Sequence, residues 1–270
     1  MALSPNMNVM LRAVEKAARS LVRDFGEVEQ LQVSRKGPGD FVSAADHRSE
    51  ETLFEELSKA RPDYGFLMEE RGSVGKKDAE YRWIVDPLDG TTNFLHGIPH
   101  WNITVALEHK GEIIAGIVYD PIRNEMFRAE KGTGAFMKNK RLRVSGRNQM
   151  SDAVFLTGEP RRVPDEQSLF AAEYATVQAA GPSLRRFGSA ALDLSYVAAG
   201  RVEGFWERHL KPWDVAAGWL IVREAGGLAA DIDNINSNPV QTGHIVAGNA
   251  AMCDELKKLL KSVKIGKDAA

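Results

Sequence analysis

Met7, Met10, Val14, Ala17, Leu21 and Phe25 recur at steps of three and four, the spacing of one helical face. Ser4 before Pro5 is an N-cap followed by proline at the first helical position, and Gly26 stops the run. A second helix is predicted from about Ala44 to just before Pro62, with Leu53, Phe54 and Leu57 inward. Apolar runs at residues 65–68 and 81–85 read as strands, and both end at acidic residues. The period then changes. Residues 101–108, 113–119, 125–129 and 135–137 read as strands of an antiparallel meander, with turns at Lys110-Gly111 and Lys138-Asn139-Lys140. From about residue 150 strands and helices alternate. The pattern predicts a strand at 154–157, helices at 166–179 and 192–199, and a strand at 202–207. A helix follows at 213–225, which Gly226-Gly227 can close in left-handed geometry, then a strand around Val246 and a helix at 250–263. The tail after Ile265 is expected to fray. The pattern divides the chain into an α+β half, residues 1–147, and an α/β half, residues 148–270.

The second of the early strands carries the candidate chemistry. Trp83-Ile84-Val85 runs into Asp86-Pro87-Leu88-Asp89-Gly90-Thr91-Thr92-Asn93-Phe94. Two hard anionic side chains three positions apart suit Mg²⁺. A chain that turns at Gly90 into a possible helix offers backbone N–H groups to a phosphate. Metal and anion sites side by side are what metal-assisted phosphoester hydrolysis requires. Asp, Pro and Gly are also ordinary turn residues, so this spacing alone leaves a surface turn open.

Two further blocks change that balance. Glu69-Glu70 lies upstream, and Trp213-Asp214-Val215-Ala216-Ala217-Gly218, closing at Glu224-Ala225-Gly226-Gly227, lies downstream. With Asp86 to Phe94, these blocks resemble the signature of the inositol monophosphatase family, from the first helix to about residue 250. The resemblance implies a layered αβαβα sandwich of the inositol monophosphatase and sugar phosphatase type, with the active site between two halves. It implies two or three Mg²⁺ ions. Glu69, Asp86 and the Leu88 carbonyl would hold the first, and Asp86, Asp89 and Asp214 the second, with a weaker third near Glu69. Thr91 and Glu69 would position and deprotonate a metal-activated water for direct in-line attack, while the amides of Gly90 and Thr91 hold phosphate oxygens. Leu88, Asp89 and Asp214 would also border the bound phosphate ester.

Gly188, Ser189, Ala190 and Glu207 match family positions that face the substrate alcohol, and Arg185 resembles a substrate-contacting arginine of bacterial members. Glu207 could accept hydrogen bonds from the vicinal hydroxyls of a cyclitol. Glu70 and Asp46 would support the site, and Lys36 would stand on a mobile loop. Each has a plainer reading: Asp214 as a helix cap, Glu207 as a strand-end charge, Arg185-Arg186 as solvated or interface charge, Lys36 to Asp40 as a surface turn. Met68 departs from the family's usual glycine, and the segment 71–80 is shorter than in animal members, which bears on the third metal and on lithium sensitivity.

Among related activities, the implied reading is hydrolysis of inositol 1-phosphate to inositol and phosphate. Fructose-1,6-bisphosphatase, histidinol-phosphatase and 3′-phosphoadenosine 5′-phosphate phosphatase share the metal constellation and stay open. So does a role in binding RNA or the transcription machinery. Family members usually pair, so a homodimer is expected.

Composition narrows the rest. The chain has 270 residues, 43% hydrophobic and 27% charged, enough for a sizeable core. A net charge of −2 gives no argument for nucleic acid or an anionic membrane. The basic cluster Lys138, Lys140, Arg141 and Arg143 has no interleaved aromatics. No apolar run is long enough to span a bilayer, and no secretory signal is evident at the N-terminus. The single cysteine, Cys253, excludes an intrachain disulfide, fits a cytoplasmic location and is expected to pack as a small apolar residue. The six histidines show no paired ligand spacing, so zinc is not implied.

Overall fold

A computed structural model describes residues 3–27, 33–37, 40–76, 78–158 and 163–263, with backbone only at 33–37 and 40–42. The side chain of Lys36 and residues 38–39 of its loop therefore lie outside the described residues. The elements in chain order are α1 (Pro5–Phe25), β1 (Val33–Gly37), β2 (Asp40–Ser43), α2 (Ala44–Ala60), β3 (Gly65–Met68), β4 (Gly72–Val74), β5 (Tyr81–Asp89), α3 (Thr91–Leu95), β6 (Asn102–His109), β7 (Glu112–Asp120), β8 (Glu125–Glu130), β9 (Gly134–Met137) and β10 (Lys140–Arg141). There follow β11 (Val154–Thr157), α4 (Pro164–Ala179), β12 (Ser183–Arg185), α5 (Ala190–Ala198), β13 (Gly204–Glu207), α6 (Pro212–Glu224), β14 (Leu228–Asp231), α7 (Pro239–Thr242), β15 (Ile245–Gly248) and α8 (Ala250–Ser262).

β1 and β2 form a two-stranded antiparallel sheet. An eight-stranded sheet has the order β10-β9-β8-β7-β6-β5-β3-β4, and a five-stranded one the order β12-β11-β13-β15-β14. The large sheet is antiparallel except at β3–β5. In the small sheet β11 runs parallel to β12 and β13, while β15 runs antiparallel to both its neighbours.

Strand alternation sorts side chains into three cores, and the three cores define five layers. On one face of the large sheet, Trp83, Val85 and Val105 pack with Met7, Met10, Val14 and Leu21 of α1 and Leu53 and Leu57 of α2. On its other face, Ile84, Ala106 and Val118 meet α5 and α6 through Leu192, Leu194, Val215 and Ile221. The same core reaches Phe205 and Ile245 of the small sheet. Its outer face, with Phe155, Trp206 and Val246, is covered by Val177 of α4 and by Met252, Leu256 and Leu260 of α8. The result is α/β/α/β/α, with both sheets covered on both faces. This explains the near-continuous apolar runs of the central strands. The approach of α6 to β7 is close: a Cβ on Gly116 would lie 2.9 Å from the Ala217 Cα.

The structure departs from the sequence pattern at one consequential place. β5 does not end at Val85 but runs to Asp89. Its pairing with β6 passes from Asp86↔Thr104 to Asp89↔Asn102, three steps against two. This bulge takes the extra residue and accommodates Pro87, which lacks the N–H that a regular central strand needs. Several short elements (β4, β12, β14, α7) escape the pattern because three or four residues carry too little periodicity. No helix among the described residues is long and apolar enough to cross a membrane.

Candidate active site

The carboxylates gather because strand register and one helix end deliver them. Parallel pairing sets Met68 beside Val85, and the Glu69 N–H donates to the Val85 carbonyl at 3.2 Å, so the acids that follow, Glu69 and Asp86, are neighbours. Asp214 comes from the first turn of α6. There the Thr104 hydroxyl donates to the Trp213 carbonyl at 3.0 Å, and Thr104 is itself the cross-strand partner of Asp86. Asp214 also accepts the Lys211 N–H at 2.7 Å, so it is helix cap and cluster member together. Asp86 is buried, and burial raises its carboxyl well above the usual range, reinforced by the charges of Glu69, Asp89 and Asp214. Such a cluster needs protons or cations.

Asp89 is held on one oxygen. Its Oδ2 accepts from Ser189 Oγ at 2.6 Å, Asn102 Nδ2 at 2.9 Å and the Ala191 N–H at 3.1 Å. Burial raises its carboxyl, and these donors with the Gly90 amide draw it back. Thus the segment Gly188, Ser189, Ala190 is fastened to Asp89. Asn93 completes the joint by donating to the carbonyls of His100 at 2.9 Å and Phe187 at 2.7 Å. Gly90 has φ +91 and starts α3 from a left-handed position, with His100 and Trp101 backbone too near for an easy Cβ.

Thr91 lies at the heart of the turn. Its Oγ1 is 3.0 Å from the Leu88 carbonyl and 3.2 Å from Asp46 Oδ1, acceptors that compete for its single proton. Asp46 is buried at the start of α2 and accepts from the N–H and hydroxyl of Ser43 at 2.9 and 2.5 Å. Burial raises its carboxyl against those bonds, and the Glu70 charge adds to the rise. The Glu70 N–H donates to Glu50 Oε2 at 2.8 Å, and the Glu70 charge acts on both Asp46 and Glu50.

Glu207 ends β13. Burial raises its carboxyl well above the ordinary range, with Asp214 and Asp89 adding to the rise and Arg186 opposing it. Arg185 stands exposed on edge strand β12 and donates to the Leu184 carbonyl at 2.8 Å. Among the described residues, no three His, Cys, Asp or Glu side chains already surround a single ion position.

Sequence reading missed three supporting groups. Glu50 is 1% exposed, accepts from the Glu70 and Arg71 amides and pairs with Arg71 Nε at 3.2 Å, holding the turn that presents Glu69. It stands on the inward stripe Asp46, Ser49, Glu50, Leu53, Leu57, so an acid at an apolar-phase position was the available signal. Asn102 bridges Asp89 and Ser189. Asp193 is 1% exposed, and neither carboxyl oxygen has a hydrogen-bond partner among the described residues. Burial raises it well above the ordinary carboxylate range, helped by Glu207 and Asp89. His100, the buried histidine, is pushed down to about 4 by burial and Arg123, and sits neutral against Phe187 and Tyr196. Cys253 is buried, its thiol pushed up to about 11 by burial, as a packed apolar residue should be.

Five alternating layers, a buried acid cluster at the end of a bulged strand and a glycine turn beside it define a metal-dependent phosphoryl hydrolase of the layered sandwich class. The chain belongs to the inositol monophosphatase family, whose model matches residues 3–264. It is 54% identical over 264 residues to an inositol-1-monophosphatase of Mesorhizobium japonicum, covering 98% of each chain. It is 42% identical to a Nus factor SuhB of Pasteurella multocida, covering 94% of this chain and 95% of that one. The crystal structure of an extragenic suppressor protein suhB from Bartonella henselae superposes with a TM-score of 0.92 at 52% identity, covering 96% of this chain and 99% of that one.

Proposed function

We propose that this chain hydrolyses inositol 1-phosphate to inositol and phosphate with two or three Mg²⁺ ions. The observation that carries the reading is the buried Asp86, crowded by Glu69, Asp89 and Asp214 from three segments. The donor set is all oxygen, which fits a hard cation and not zinc. Glu69, Asp86 and the Leu88 carbonyl would hold one ion, Asp86, Asp89 and Asp214 a second, with a third near Glu69. When bound, magnesium supplies Lewis-acid stabilisation of phosphoryl charge and lowers the pKa of water.

The chain's own residues do the rest. Thr91 gives its proton to the Leu88 carbonyl or Asp46, so its lone pairs face the attacking water and orient it. Glu69 takes that water's proton. The Gly90 and Thr91 amides receive phosphate oxygens, aided by the open turn at Gly90. Ser189 and Asn102 fix Asp89, and Gly188 to Ala190 border the alcohol. Arg185, exposed on the edge strand, would contact the substrate from the second half. Asp214 and Asp89, which raise Glu207, are the residues assigned to magnesium, so a loaded site leaves Glu207 a charged acceptor for vicinal hydroxyls.

The protein acts as a homodimer in this reading, and light scattering should give the mass of two 29.7 kDa chains. A single-chain mass across the micromolar range would reject it. Binding of RNA or of the transcription machinery is the alternative role. The exposed Lys138, Lys140, Arg141 and Arg143 offer bases nothing to stack on, because the neighbouring Phe136 lies under Arg128.

A screen over cyclitol, sugar, amino-alcohol and nucleotide monophosphates tests the substrate class. Glu207→Ala sharpens it. Losing a hydrogen bond to a charged group costs about 1.5–3 kcal/mol, so kcat/KM on inositol 1-phosphate should fall roughly ten- to a hundred-fold. The rate on β-glycerophosphate, which has no vicinal diol, should fall much less. Equal losses on both substrates would assign Glu207 to the metal site or the fold instead.

A further inference from the structure

The carboxyl group of Glu207 packs onto a residue with no side chain. β11 and β13 run parallel with Thr157 opposite Trp206, so the next pair across the strands is Gly158 and Glu207. A Cβ on Gly158 would lie 1.9 Å from Glu207 Oε1, 2.0 Å from Cδ and 2.2 Å from Oε2. Among the described glycines, none would bring a Cβ nearer to another atom. The backbone gives no other reason for glycine here. Gly158 is not among the positive-φ residues, so any L residue could adopt its conformation.

The space behind the carboxyl group is small. The cavity beside it, bounded by Thr157, Leu169, Phe170, Trp206 and Arg208, has a volume of about 20 Å³. That is room for about one water, and a carboxyl has three heavy atoms. Thr157 and Trp206 are fully buried, and packed interiors resist such shifts.

We propose that Gly158 is a specificity-determining position: its bare α-carbon is the seat that fixes the Glu207 carboxylate against the hydroxyls of a cyclitol phosphate. The inference rests on the reading of Glu207 as the diol-binding group. A seated carboxylate loses little rotamer freedom when substrate arrives, so its hydrogen bonds reach the substrate at lower entropic cost.

The test is a double-mutant cycle read on two substrates. Gly158→Ala should lower kcat/KM for inositol 1-phosphate about ten- to a hundred-fold, like Glu207→Ala, and leave β-glycerophosphate within about threefold. In the Glu207→Ala background the same methyl group should cost nothing further, because truncation makes room for it. If Glu207→Ala itself leaves discrimination unchanged, the reading of Glu207 is wrong and the seat falls with it. If Glu207→Ala loses discrimination and Gly158→Ala does not, the seat alone is overturned. Equal loss on both substrates that persists in the double variant assigns the glycine to the fold and also overturns it. Should Gly158→Ala fail to fold, the double variant decides. Recovery only when Glu207 is truncated supports the contact, and failure of both removes it.

Discussion

Asp89→Asn lowers turnover on the order of 10³-fold or more while the fold stays intact. The two halves of this expectation come from the two oxygens of one side chain. Oδ2 already accepts from Ser189, Asn102 and the Ala191 amide. An asparagine carbonyl accepts the same three donors in the same place, so the joint between the large sheet and α5 survives. The other oxygen becomes an amide nitrogen, which neither ligates magnesium nor carries charge. Circular dichroism and kinetics on one preparation check both halves. Turnover near that of the parent at saturating Mg²⁺ would remove Asp89 from the metal set. Loss of structure would show that the three donors need the charge, and Ser189→Ala, which strips one of them, would then measure the structural part separately.

Exhaustive chelation abolishes hydrolysis, and added Mg²⁺ restores it. Without cations Asp86 is buried among three like charges, and burial with that repulsion favours its protonated form. A protonated cluster offers the phosphoryl group no counter-charge and no polarised water. Ca²⁺ should restore little activity and should inhibit in excess. It prefers longer bonds and looser geometry than the octahedron magnesium demands. Steady-state rates after chelation, then after titration with each cation, are the measurement. Full turnover in the chelated protein, with residual metal excluded by elemental analysis, would refute the assignment. The same titration followed by thermal melting gives a readout besides activity, because a cation that relieves the repulsion stabilises the fold.

Legibility from sequence followed the range of the interaction involved. The Asp86 to Phe94 block was readable because hard-cation chemistry narrows residue type and a strand-to-helix turn narrows spacing, whereas Glu69 and Asp214 entered through the family resemblance. The long helix α1 was readable because its apolar stripe repeats over about five turns, and α2 because Leu53, Phe54 and Leu57 mark its inward face before Pro62. The bulge at Pro87 was not. Local pattern treats that proline as the end of a strand, whereas pairing with Thr104 and Asn102 on β6 carries the strand through it.

The sequence by itself pointed to acids suited to a hard cation and to the longer helices and strands. Residue chemistry and 3.6- or 2-residue periodicity are local properties. Only the tertiary structure decided which of these segments meet. Parallel register between β3 and β5 set Glu69 beside Asp86, and one hydroxyl, that of Thr104, tied the start of α6 to the same strand. The register of β11 against β13 put Gly158 under Glu207, and the fold buried Asp193 within reach of the charges of Glu207 and Asp89, without a hydrogen-bond partner among the described residues. Those pairs lie far apart in the chain, Thr104 and Trp213 by 109 positions. No local propensity couples them, because the contacts exist only once two sheets and a middle helical layer have closed on a shared core.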